Sequence, residues 1–139
     1  MASPLELLSG PGKPLRLEPP DAKEFAALQR SGLARLRDAT NPGLSLEGQF
    51  DLAYNAAHAL CLAALRWHGY RAANRYIVFQ VLPHTLGLGA DVWRVLAKCH
   101  EVRNLGEYEG DLNIDDRLLA DLQAASKSVA AALEKLKPL

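Results

Sequence analysis

Residues 45–68 read SLEGQFDLAYNAAHALCLAALRWH. Ser45 is a residue that caps helices, and the chain after it keeps helical spacing without a breaker until Gly69. Phe50, Ala53, Ala57, Leu60, Ala64 and Trp67 form one face, and Tyr54, His58, Cys61, Leu62 and Leu65 form an adjoining one. Apolar coverage that wide, with small alanines throughout, predicts a helix packed on several sides at the centre of a bundle.

On the N-terminal side of this stretch, Asp21 and Glu24 make a capping box for a preceding helix. Phe25, Leu28, Leu33 and Leu36 carry that helix to Ala39, with Gly32 weakening its middle, and Asn41-Pro42-Gly43 stops it. Downstream, a third helix is expected from about Ala72 to Leu82. Ile77, Val78, Phe79 and Val81 could read as a strand in isolation, but no partner strand is evident for them. Pro83 and the glycines at 87 and 89 turn the chain into a fourth helix from about Ala90 to Leu105, and Gly106 and Gly110 bracket a predicted break. Asn113 is the expected cap of a last helix, with Asp116 at its third position and an apolar stripe from Leu118 to Leu136. Prolines 4, 11, 14, 19 and 20 predict an extended arm over residues 1–20. The expected fold is therefore all-α: an antiparallel up-and-down bundle of about five helices over residues 21–139.

Composition narrows the function. At 139 residues the chain has the length of one domain. Sixteen basic and sixteen acidic residues give zero formal net charge, which argues against binding nucleic acid through bulk electrostatics but leaves room for a local basic patch. Cys61 and Cys99 sit in apolar helical contexts and read as buried free thiols. No leader-like segment and no membrane-length apolar run is evident, so a cytoplasmic protein is expected.

Among candidate functional residues, His58 lies mid-helix on an apolar face and reads as a hydrogen-bonded core histidine. His68 falls at a helix C-terminus, where an imidazolium is favourable. His84 lies in a loop, and His100 lies one turn before Arg103. Metal-binding spacings and phosphate loops are not evident, so neither a metal nor a cofactor is expected. The segment Arg103-Asn104-Leu105-Gly106-Glu107-Tyr108 stands apart, because it places a guanidinium, an amide and a phenol where a helix is expected to break. A guanidinium fork suits phosphate, an amide both donates and accepts, and a phenol stacks and hydrogen-bonds. The structural alternative is an Arg103–Glu107 ion pair one turn apart, with Tyr108 closing the turn.

Over roughly residues 35–130 the chain resembles the HEPN superfamily of helical domains. The resemblance rests on Ser45-Leu46-Glu47-Gly48-Gln49-Phe50 leading into Leu52–His58, on His68-Gly69-Tyr70-Arg71, and on Arg103-Asn104 followed by Tyr108. It implies an antiparallel bundle that forms a homodimer and binds RNA or a nucleotide in a cleft around Arg103, Asn104 and Tyr108. In the family's ribonuclease motif a histidine follows the arginine after four to six residues, and Tyr108 holds that position here. Tyrosine starts from a pKa of about 10 and is a poor proton acceptor at neutral pH. The resemblance thus leaves three roles open: binding without efficient cleavage, the structural partner of a nucleotidyltransferase in a toxin–antitoxin pair, or a metal-independent endoribonuclease using Arg103 with Tyr108 or His100.

Overall fold

A computed structural model describes residues 2–110 and 113–139, with side chains throughout except at 107–109. Among the described residues the chain runs α1 (Pro4–Leu7), β1 (Leu15–Leu17), α2 (Ala22–Asp38), α3 (Leu46–Trp67), β2 (Tyr70–Ala72), α4 (Arg75–Gln80), α5 (Leu82–Thr85), α6 (Ala90–Glu109) and α7 (Asp116–Glu134). It is an all-α bundle whose four long helices are α2, α3, α6 and α7.

Helix α3 is the axis of the molecule. Phe50, Ala53, Tyr54, Ala56, Ala57, Leu60, Cys61, Ala63, Ala64 and Leu65 all have zero exposure. The alanines on several faces let α2, α4, α6 and α7 approach it together. Long helices that adjoin in sequence alternate in direction. Gly32 of α2 lies against Ala56 and Leu60, while Glu24 at the start of α2 meets Arg66 at the end of α3. On the other side, Tyr54 meets His100 of α6 and Asp51 meets Arg103.

Capping explains most helix starts. Asp21 accepts from the backbone N–H of Lys23 and Glu24, Ser45 from Gly48, and Asn74 from Ile77. The last helix begins two residues later than expected: Asp115, not Asn113, is the cap and accepts from Leu118 N–H at 2.8 Å. Gly106 does not interrupt α6. It is buried inside the helix, where a glycine costs about 1 kcal/mol of propensity without breaking the hydrogen-bond ladder. Gly110 ends α6 instead, because its left-handed φ of 76° is freely accessible only without a side chain.

The N-terminal arm is not extended throughout. Ser3 caps a single turn of helix, and Pro4 stands in the first turn, where its missing N–H is no loss. Leu15–Leu17 then pairs antiparallel with Tyr70–Ala72, matching Leu15 to Ala72 and Leu17 to Tyr70. The third predicted helix consequently starts at Arg75 rather than Ala72, since residues 70–72 are committed to the ribbon. Its β-branched segment, Ile77–Phe79, is helical and buried. Pro83 opens the first turn of α5, so the chain continues in a second short helix where the sequence predicts a turn.

Two arginines fasten this ribbon to the bundle. Arg66 is 1% exposed, and its guanidinium donates to Glu24 Oε1 at 2.6 Å and to the carbonyls of Glu18, Pro19 and Tyr70. Arg71 reaches both the Glu18 and Glu24 carboxylates. Both carboxyls are held below the usual range, Glu18 first by its bond from Arg71 and Glu24 first by its bond from Arg66. No helix among the described residues is long and apolar enough to cross a membrane.

Candidate functional site

Where α3, α4 and α6 meet, polar side chains collect at helical spacing. Asp51, Tyr54, Asn55 and His58 succeed one another along one face of α3, and His100, Arg103 and Asn104 share a face of α6. From α4 come Arg75, Tyr76 and Phe79.

Tyr54 is the hub. Its ring has no exposure, and a phenol buried that deeply needs a partner for its hydroxyl. His100 supplies one, with Nδ1 at 2.8 Å from the phenol oxygen. The other ring nitrogen, Nε2, lies 3.0 Å from Nδ2 of Asn104, one turn further along α6. An amide donating to Nε2 leaves the ring proton on Nδ1, which then donates to the phenol oxygen; the turned amide reverses both bonds. Either orientation locks the imidazole between Tyr54 and Asn104.

Two cations cover the same phenol. The Arg103 guanidinium carbon stands 5.0 Å from the Tyr54 ring centre and that of Arg75 stands 5.9 Å from it. Both distances lie within the range of cation–π attraction. Arg103 Nε is 3.5 Å from Asp51 Oδ1, a pair weakened by the 56% exposure of the Asp51 side chain. Arg75 Nη1 donates to Asn55 Oδ1 at 3.3 Å and has no carboxylate partner among the described residues. Two guanidiniums and the Asp51 carboxylate thus meet around one phenol ring.

His58 is half-buried and presents its ring edge-on to Phe79, 6.1 Å between centres. The sequence predicts a hydrogen-bonded core histidine, yet no hydrogen bond reaches its imidazole among the described residues. Burial, reinforced by the charges of Arg75, His100 and Arg103, pushes it down to about 4, so it is neutral at physiological pH.

Three of the expected site residues, His100, Arg103 and Asn104, are thus brought together. Tyr108 falls on α6, but its side chain lies outside the described residues, as does that of Glu107 in the alternative ion pair. Sequence reasoning does not single out Tyr54, His58 and Arg75 as members of the site. A stripe of Asp51, Tyr54, Asn55 and His58 through an otherwise apolar helix is the available signal. The remaining histidines lie elsewhere: His68 ends α3 and its Nε2 is 2.8 Å from the Thr85 carbonyl, while His84 is exposed on α5. Cys61 and Cys99 are buried free thiols, and burial pushes both upward, Cys99 to about 12. No group of three His, Cys, Asp or Glu side chains among the described residues could hold a metal ion.

Fold and site together define an all-α bundle with an aromatic-backed polar cluster between three helices, two arginines among its members. Comparison of the chain with protein-family models, with curated proteins and with solved structures gives no match.

Proposed function

We propose that this chain is a HEPN-like helical module that binds RNA or a nucleotide at the cluster formed by His100, Arg103 and Asn104. One observation carries the reading: two guanidiniums, Arg103 and Arg75, converge on the ring of Tyr54 from different helices. A pair of fork-shaped cations matches phosphate oxygens, and their planar faces can stack on a base. Asn104, exposed on α6, supplies donor and acceptor groups that can read a base edge, and half-exposed Tyr76 offers a second aromatic surface 5.8 Å from the His100 ring. The buried Tyr54 acts from behind, holding His100 and the cations in place.

The test is fluorescence anisotropy with a short mixed-sequence single-stranded RNA. Arg103→Ala is expected to weaken binding about tenfold or more, the value of one charge-assisted contact to phosphate. Equal affinity in wild type and Arg103→Ala, or no binding at all, removes the reading. The same RNA is examined for cleavage, and cleavage lost in Arg103→Ala would make the protein a ribonuclease.

A further inference from the structure

Helix α2 presents two lines of side chains. Leu28, Gly32 and Leu36 face the bundle. A second line, Ala22, Ala26, Gln29, Leu33 and Arg37, recurs in steps of three and four and so forms another stripe along the same helix. Two hollows lie on that stripe. One, of about 350 Å³, runs from Ala26 to Arg37 and is lined by α2 alone. The other, of about 300 Å³, lies between the start of α2 and the C-terminal segment, with Phe25 on one side and Leu133, Leu136 and Leu139 on the other. Ala26 and Gln29 line both, so the two make one groove. Its walls are tied to the bundle, because Gln123 of α7 donates to the Ala39 carbonyl and Trp67 Nε1 donates to the Lys137 carbonyl at 2.8 Å.

Charge and shape select the occupant. Three cations line the groove, Arg30, Arg37 and Lys137, against one carboxylate, Glu134. None of the three cations is in a salt bridge among the described residues. The stripe is about 22 Å long at the rise of a helix, which is four turns, and its exposed alanines let a second backbone come close.

We propose that this groove docks an amphipathic helix of a partner protein, with apolar side chains over Ala26 and Leu33 and acidic ones against Arg30 and Arg37. A second copy of this chain fits poorly, since a two-fold axis at the middle of the stripe would set Arg30 against its own mate. The groove shares no residue with the Tyr54 cluster, so the proposal stands apart from the RNA reading.

The test uses the isotope-labelled full chain and two stapled helical peptides of about sixteen residues, the length of the stripe. Both carry the same leucine stripe; one has glutamates on its flanks and its twin has lysines. The glutamate peptide is expected to shift the amide resonances of Ala26, Gln29, Leu33 and Leu136 saturably. It should bind about tenfold or more tightly than the lysine twin, as two rim ion pairs replace two like-charge contacts. Arg30→Glu combined with Arg37→Glu changes two exposed side chains and should reverse that preference. Equal binding of the twins, no binding, shifts confined to other surfaces, or a preference unchanged in the double variant overturns the proposal. Light scattering at rising concentration supplies a second measure. A mass that doubles while the Ala26 and Leu33 resonances shift would place a second copy on the groove, and that result overturns the proposal as well.

Discussion

At the scale of single residues, His58 couples the site to stability. Its folded value of about 4 lies below the ordinary 6.5 of the unfolded chain, so the unfolded state binds the proton more readily. Stability is therefore whole above about pH 6.5 and is lost as pH falls from there through the folded value, by at most about 3 kcal/mol from this group. Urea unfolding measured between pH 7 and 4 should show that loss in wild type and a shallower one in His58→Gln. Parallel slopes in the two proteins would mean that His58 titrates normally. The same residue shows the limit of a local reading: beside Tyr54, Cys61, Leu62 and Leu65 on the wheel His58 looks like hydrogen-bonded core, whereas the packed helices leave it half-buried, edge-on to Phe79 and without a hydrogen bond among the described residues.

At the scale of elements, helix spacing depends on one position. A Cβ at Gly32 would lie 2.7 Å from Cγ and 2.8 Å from Cδ2 of Leu60, and 3.3 Å from the carbonyl oxygen of Ala56. Leu60 has no exposure and cannot swing aside. Gly32→Ala gains about 1 kcal/mol of helix propensity but forces α2 away from α3, a cost of about 1–3 kcal/mol. The variant should be destabilised in urea, and a stabilised variant would show that α2 can shift freely. In sequence Gly32 reads only as a weak point in a helix; its use as a contact surface depends on α3 lying opposite.

The arginine clamp also acts at this scale, because it joins the arm, α2, α3 and the ribbon. Arg66 is nearly inaccessible, and Glu24→Ala removes its 2.6 Å carboxylate while leaving that of Glu18 at 3.4 Å, so the variant should lose about 1–3 kcal/mol. Glu24 adds to acid sensitivity with a definite sign. Its carboxyl is held down chiefly by Arg66, so its contribution is present above about pH 4.5 and lost as pH falls through the lower folded value. Chemical denaturation at neutral pH checks the first effect; unchanged stability in Glu24→Ala would show that the three carbonyls and the Glu18 carboxylate suffice for Arg66.

At the scale of the whole molecule, the shared cleft implied by the HEPN resemblance calls for two chains. The apolar surface of α3 is consumed within its own bundle, while Leu105 beside the site on α6 is 58% exposed. A homodimer is expected, and light scattering at micromolar concentration should give twice the 15.1 kDa of one chain. A monomeric mass would leave each cluster to act within a single chain.

Local sequence was sufficient for the set of long helices and the central place of α3. Caps such as Asp21 and Ser45, apolar spacing and the stop at Asn41-Pro42-Gly43 act within a few residues of one another, so their physics is complete in the local chain. Small boundary differences, as at Asp115 and Gly106, arose where two similar residues competed to cap or end the same helix. The ribbon, the Arg66 clamp and the gathering of Tyr54 and Arg75 around the α6 residues were decided by tertiary packing alone. Tyr54 and His100 are 46 residues apart, and Arg66 and Glu24 are 42 apart. Such pairs leave no periodic signature, because what selects them is the demand of buried phenols and guanidiniums for partners, and that demand arises only once the helices have packed.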